Sequence, residues 1–404
     1  MAMLAKYDKI GSNAKDSLIA RQDLANYLRD EISERIYSQA DVVTFLKHTD
    51  KPFSKTKVDD AMKAMHASGE REFYKTPSGY KLSYEDVMAI GEHLGVTQYR
   101  AKHGGRAFVI SFLNLKGGVG KSLCTNMLAH YFTYSERYLL SAPRILIIDL
   151  DPQGTSTQQN KPIYKIADHE YTSLLTLVDE MSLEEIQANA IKTTEHRNLD
   201  IMMCGTEDGF YADSLNSEEV CQDKYVGTLL TDRLIKKIEH LYDLILIDVG
   251  PHMDDVLKNC LWSANQILVP TPPTFYSYDS TLRFLERLPN VMRELVENGK
   301  DESKLADITA FLTKIPIQKA RGYDKDIFET ASKDLAKIFE LDNIKHELPL
   351  EDAYERCAEN GHTIFSLPKK DYTGDKRAFQ RALDSATDWA KELADLIETK
   401  QGVL

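Results

Sequence analysis

No apolar run in this 404-residue chain approaches the ~18 residues needed to cross a bilayer, and the opening MAMLAKYDKIGSNAKDS has no apolar stretch of the kind a secretion signal requires. Cysteine is scarce. The five cysteines (Cys124, Cys204, Cys221, Cys260, Cys357) are odd in number, scattered and without a C-x-x-C pair. That pattern argues for a reducing cytosol and against a zinc or iron–sulfur site. Positive charge is in deficit too, with a net of −13, which looks wrong for a nucleic-acid binder. The deficit is uneven: residues 1–106 carry +2 and the remainder −15. Any DNA contact is therefore a local patch, helped by cation or nucleotide binding and steeply salt-dependent. The length allows a sizeable core and two or more domains.

What is present centres on Leu115-Lys116-Gly117-Gly118-Val119-Gly120-Lys121-Ser122. An apolar strand, AFVISFLN, precedes it, and a helix from Leu123 to Glu136 follows. A strand, a glycine-rich turn ending in Gly-Lys-Ser and a helix together hold nucleotide phosphates. Gly117, Gly118 and Gly120 let the backbone approach an anion, with N–H groups and the helix dipole pointing at it. Lys121 supplies charge to the β- and γ-phosphates of ATP or ADP, and Ser122 offers a hydroxyl to Mg²⁺. Leu115 stands where the plain P-loop has its first glycine. The extra Lys116 is free to reach a phosphate held by another subunit. The expected nucleotide site is thus Lys116, Gly117, Gly118, Val119, Gly120, Lys121, Ser122 and Leu123.

Two more apolar runs end in acid. RILIIDLD closes on Asp149 and Asp151 before Pro152-Gln153-Gly154, and LILID closes on Asp248 before Val249-Gly250-Pro251-His252. Continuous apolar runs of this kind read as parallel strands buried on both faces, with their carboxyl ends toward the ligand. Asp248 fits a Walker B carboxylate that binds Mg²⁺ through water. Asp149 is expected to hold the metal shell or the loop itself, and Asp151 to orient the attacking water. Further strands are expected at 199–204, 266–269, 308–312 and 344–348. Helices are expected at 227–241, 254–264, 280–297, 324–339 and 377–400. Such alternation gives an α/β fold with a doubly wound, mostly parallel sheet. Pro270-Thr-Pro-Pro273 is a candidate wall for an adenine site.

The N-terminal third reads differently. Leu24, Leu28, Ile32 and Ile36, with Leu18 and Ala25 near the same face, predict one helix over 12–37 whose stripe suits a dimer contact. Capping signals at Ser38 and Ser54 start two helices, and Gly69 stops the second. A hairpin around Thr76-Pro77-Ser78-Gly79 and a helix capped by Ser83 follow. Helix, turn, helix and hairpin together resemble a winged helix-turn-helix. Ser54, Lys55, Thr56 and Lys57 sit at the end that enters the major groove, while Arg71, Lys75 and Lys81 suit flanking phosphates. A small helical dimerisation domain would share much of this pattern. The expected divisions are a dimerisation helix over 1–37, a DNA-binding domain over 38–100, a basic linker over 101–106 and an ATPase domain over 107–404.

Lys116-Gly-Gly-Val-Gly-Lys-Ser122, Asp149-Leu-Asp-Pro-Gln-Gly154 and Ile247-Asp-Val-Gly-Pro-His252 resemble the deviant Walker A, A′ and B motifs of ParA-type partition ATPases. The N-terminal region further resembles the long, plasmid-borne class of that family, which also represses its own operon. The resemblance implies an ATP-sandwich homodimer in which Lys116 contacts nucleotide across the interface and Asp151 is the hydrolytic carboxylate. It also implies nonspecific binding to nucleoid DNA, an operator site, a ParB-like centromere-binding partner and a cytoplasmic location. Arg356, in Tyr354-Glu-Arg-Cys-Ala-Glu359, lies where the long class has a basic residue implicated in nonspecific DNA binding. A nucleotide-sensing repressor with incidental hydrolysis is the alternative function. A membrane-cycling relative would end in a basic amphipathic helix, whereas Asp384, Asp388, Glu392, Asp395 and Glu398 outweigh Arg381, Lys391 and Lys400 here.

Overall fold

The chain begins with α1 (Ala2–Asp30), a helix in which no described side chain is buried. The computed structural model describes residues 2–30, 32–160, 171–252, 254–316, 325–340 and 343–403. The expected helix over 12–37 is thus displaced, and Ile32 and Ile36 fall beyond its end. The cause lies far away in sequence. Ser33 donates its amide and hydroxyl to the Asp371 carboxylate at 3.1 and 3.2 Å, and Arg35 donates to the Phe365 carbonyl. Tyr37 then pairs with Leu82 in an antiparallel bridge. These bonds take the place of the helical ones. Ile32 packs against the core while Ile36 stays exposed, so the apolar stripe is cut. The side chains of Ala25 and Leu28 lie outside the described ones.

The capping signals are met locally. Ser38 and Asp41 form a reciprocal capping box on α2 (Gln39–Leu46), and Ser54 caps α3 (Lys55–Ala67). The hairpin is short, with β1 (Lys75–Thr76) and β2 (Gly79–Tyr80) on either side of Pro77-Ser78. A second capping box, Ser83 with Asp86, opens α4 (Tyr84–His93). Val42, Phe45, Leu46, Val58, Met62, Met65, Val87 and Ile90 enclose one apolar cluster, and Leu139 and Leu140 enter it from the rest of the chain. Just before the segment expected as a linker, Tyr99 is buried and bonds Gln401, and Arg100 reaches the Asp243 carboxylate; within the segment His103 reaches the same carboxylate.

Seven strands make the main sheet: β3 (Phe108–Phe112), β4 (Ile145–Asp149), β5 (Ile191–Thr193), β6 (Leu199–Met202), β7 (Leu244–Asp248), β8 (Gln266–Thr271) and β9 (Asp307–Leu312). Their order is β5-β6-β4-β7-β3-β8-β9, parallel throughout except for β5 at the edge. Alternate residues serve opposite faces. Val109, Leu146, Ile148, Ile245 and Ile247 join one apolar cluster, and Ile110, Phe112, Ile145, Ile147, Leu244 and Leu246 join the other. Both faces are therefore dry, which is why these strands read as unbroken apolar runs.

Helices cover both faces. They include α5 (Lys121–Tyr134), α6 (Thr155–Asn160), α7 (Asp255–Ser263), α8 (Phe275–Glu297), α9 (Lys325–Ile338), α10 (Asp352–Glu359) and α11 (Lys376–Gln401). Asp324, the expected first residue of α9, lies outside the described residues. Two expectations change here. The helix over 227–241 is a 3₁₀ turn, a π-helical stretch at Leu230–Ile235 and one α turn ending at Ile238. Residues 344–348 do not join the sheet as a strand. They run beside β9 with bonds from Ile344 N to Ala310 O and from Leu348 N to Leu312 O.

Candidate nucleotide site

β3 delivers the chain to Asn114, whose side chain fixes the base of the loop. Its Nδ2 donates to the Pro270 carbonyl at 3.0 Å and to Thr281 Oγ1 at 2.8 Å, and its Oδ1 accepts the Lys116 N–H at 3.0 Å. Gly118 and Gly120 sit at φ +74° and +104°, a left-handed backbone that only glycine takes without strain. Gly120 then becomes the N-cap of α5. The two lysines part company at this turn. Lys121 is buried, and its ammonium donates back to the carbonyls of Asn114 and Lys116 at 3.1 and 3.4 Å. Burial pulls its pKa down against the opposing pull of Asp248 and Asp151. Lys116 is exposed.

The acids sit beside this loop because β4 and β7 are neighbours in register, with Asp149 opposite Asp248. Both are fully buried. Burial raises both carboxyls, that of Asp248 to about 6, and the Asp248 charge lifts Asp149 further. Their bonding differs. Asp149 accepts from the Thr157 amide and hydroxyl at 2.8 Å each on one oxygen and from the Asp151 N–H at 3.1 Å on the other. Its oxygens are engaged by the loop and by α6, which anchors the 149–157 turn. Asp248 accepts the Ser156 hydroxyl at 2.7 Å on Oδ2, while its buried Oδ1 has no hydrogen-bond partner among the described residues. The Ser122 hydroxyl also helps to hold this carboxyl down. An orphaned carboxylate oxygen beside a hydroxyl is an all-oxygen donor set that fits a hard divalent cation. Among the described residues no cluster of three or more His, Cys, Asp or Glu could hold a metal. Asp151 is half-buried, with Gly250 against its carboxylate: a Cβ built there would lie 3.5 Å from Asp151 Oδ1.

A shallow recess opens next to the loop, lined by Val119, Leu123, Thr313, Lys314, Leu348, Pro349, Leu350 and Tyr354 among others. Thr313 ties its floor to the loop by donating to the Val119 carbonyl at 2.8 Å. Its apolar lining and its place beside the phosphate loop suit a nucleobase. The Pro270–Pro273 stretch contributes nothing to it, and the Pro270 carbonyl serves Asn114 instead. Sequence spacing had no means to find this recess, since its far wall comes from residues 348–355.

The residues proposed for DNA are on the surface with one exception. Ser54, Lys55, Thr56 and Lys57 are exposed at the start of α3, and Ser54 also serves as the cap. Lys75 and Lys81 are exposed on the hairpin, Lys75 over the Tyr80 ring. Arg71 is half-buried: its Nε bonds Asp86 at 2.6 Å, and Asp86 also caps α4. Arg356 is exposed on α10, and no described residue forms a salt bridge with it.

Comparison with known proteins agrees with this geometry. Residues 107–300 match the AAA domain family. The chain is 33% identical over 353 residues to plasmid partition protein A of Escherichia coli, covering 85% of this chain and 86% of that one. The chain belongs to the plasmid partition protein A family. A solved partition protein superposes with a TM-score of 0.72 at 25% identity, covering 98% of this chain and 99% of that one. A variant of Cyanothece McdA, solved as an ATP complex, shares the fold at a TM-score of 0.54 and 17% identity, over 70% of this chain and 98% of its own. This is therefore a P-loop partition ATPase of the ParA type with a mostly parallel sheet. Among the described residues no helix is long and apolar enough to cross a membrane.

Proposed function

We propose that this chain is a DNA-segregation ATPase that closes into a dimer on magnesium-ATP, binds DNA nonspecifically in that state, and represses its own operon through the N-terminal unit. The observation that carries the reading is the separation of two lysines on one loop, Lys121 turned inward and Lys116 exposed. One cation serves the subunit's own phosphates, and the other is available to the phosphates of a facing copy. The base occupies the recess beside Leu123. Lys121 holds the β- and γ-phosphates, Ser122 and Asp248 hold the metal, and Asp149 keeps the 149–157 turn in place. Bound magnesium supplies neutralisation of the phosphate charge. Asp151 aligns the attacking water, so turnover rests on positioning and electrostatics.

Leu4, Tyr7, Ile10, Leu18, Leu24 and Tyr27 are more than half exposed along α1, which supports pairing of α1 with a second copy. Lys55, Lys57, Lys75 and Lys81 make up the operator face, and Arg356 serves nonspecific DNA. A ParB-like partner stimulates hydrolysis, which separates the subunits and releases DNA. The deciding experiment compares binding to random DNA and to upstream-promoter DNA with ATP, with ADP and without nucleotide. A gain on random DNA that appears only with ATP is expected. Operator binding alone in every nucleotide state would instead favour a nucleotide-sensing repressor.

A further inference from the structure

Asp248 presents two unequal oxygens, and what lies behind one of them decides the chemistry of the other. The Asn126 amide nitrogen donates to Ser156 Oγ at 2.9 Å and to the Ser122 carbonyl at 2.7 Å, which uses both of its hydrogens. Its oxygen accepts from Asn160 Nδ2 at 2.5 Å, and that nitrogen also donates to the Ser156 carbonyl at 2.9 Å. The Asn160 oxygen meets His130 Nε2 at 3.3 Å, and His130 Nδ1 meets the hydroxyls of Thr363 and Ser366 at 3.0 Å each. Asn126, Ser156, Asn160 and His130 are all buried. Turning the Asn126 amide over would set its oxygen against the Ser122 carbonyl, so the donor pattern has one assignment. Ser156 Oγ already accepts from Asn126, and its single hydrogen therefore goes to Asp248 Oδ2 at 2.7 Å.

We propose that Ser156, oriented by Asn126, is a positioning residue for magnesium–nucleotide binding: it ties one oxygen of Asp248 and leaves the other for the metal's water shell. Asn126 lies on α5 behind the phosphate loop and Ser156 on α6 behind the turn that carries Asp151. Their bond thus also locks the two motifs together. Both residues lie outside the expected nucleotide-binding stretch 116–123. Ser156 acts through Asp248, as residues behind metal ligands generally do.

This inference rests on reading the site as a magnesium–nucleotide site, and its test separates the two ideas. A fluorescent ADP analogue is titrated into the full-length protein in EDTA and in magnesium, and the ratio of the two affinities is the readout. Ser156→Ala is expected to keep the EDTA affinity and to cut the magnesium-dependent gain about 10-fold. Ser156→Cys, near in volume but a weaker donor, is expected to fall between, and it preserves the test if the alanine variant does not fold. A wild-type gain that persists unchanged in both variants overturns the role of Ser156 alone. Equal losses in both arms also overturn it, since those are what a purely structural residue would give. A wild-type protein without any magnesium-dependent gain would sink the inference and the nucleotide reading together.

Discussion

Asp149 and Asp248 stand side by side at the ends of adjacent parallel strands, both fully buried and both with raised pKa. A carboxyl whose folded pKa exceeds its unfolded one binds protons more tightly in the folded state, so stability falls as pH rises. For Asp248 the loss sets in near the unfolded value of roughly 4 and is complete above about 6. Metal binding to the ionised carboxylate recovers part of it. Magnesium with ADP should therefore raise the melting temperature more near neutral pH than around pH 5. Metal-free Asp248→Asn should be at least as stable as wild type at neutral pH yet gain nothing from magnesium. A magnesium shift independent of pH would refute the account.

Asp151 and Lys121 should separate binding from turnover. Lys121→Ala removes the buried ammonium proposed to neutralise the phosphates, and nucleotide binding should be lost in a filter or fluorescence assay. Asp151→Ala leaves the loop, the recess and Asp248 in place. It should bind ATP and associate with DNA as wild type does while hydrolysis falls at least about 100-fold, a loss expected when a group that positions the reacting water is removed. Normal turnover in Asp151→Ala would reassign the catalytic carboxylate.

Much of this arrangement was legible because the sheet is dry on both faces. Ile145, Ile147, Leu244 and Leu246 feed one cluster and Leu146, Ile148, Ile245 and Ile247 the other, so each strand announces itself without alternation. The structure then brings the glycine loop and the acids at the strand ends together in one place. What escaped depended on partners distant in sequence. The end of α1 is set by Asp371, which captures Ser33 from the far end of the chain. The recess beside Leu123 needs residues 348–355. β5 is a three-residue antiparallel edge, too short to leave a periodic signal.

The basic residues of the N-terminal unit should divide into two classes. Lys55 and Lys57 are exposed at the start of α3 and form no salt bridge with a described residue, so replacing both with alanine should weaken operator binding and lower the slope of log affinity against log salt by about 2. Arg71 is bonded to Asp86, itself only 8% exposed. Arg71→Ala should leave the salt slope unchanged and instead cost stability, by roughly 1–3 kcal/mol, because a partly buried carboxylate loses its charged donor. A fluorescence anisotropy titration at several salt concentrations and a urea melt distinguish the two. An Arg71→Ala protein with wild-type stability and a reduced slope would place Arg71 on the DNA face with the lysines.

Leu140 connects the N-terminal unit to the ATPase core, and Gly91 on α4 receives it: a Cβ at Gly91 would come within 2.7 Å of Leu140 Cδ2. Leu140 is nearly fully buried, so Leu140→Ala should cost about 2–5 kcal/mol through lost burial and the cavity left behind. Gly91→Ala should also destabilise, by roughly 1–3 kcal/mol, because the new methyl group forces the leucine out of its place. Made together, the two changes oppose each other, since the alanine at 91 moves into space that the shortened residue 140 vacates. The double variant should therefore be more stable than the sum of the singles predicts, by at least about 0.5 kcal/mol. Strict additivity in a urea-unfolding cycle would mean that the two residues do not share this contact. The N-terminal unit would then not be seated on the ATPase core through Leu140.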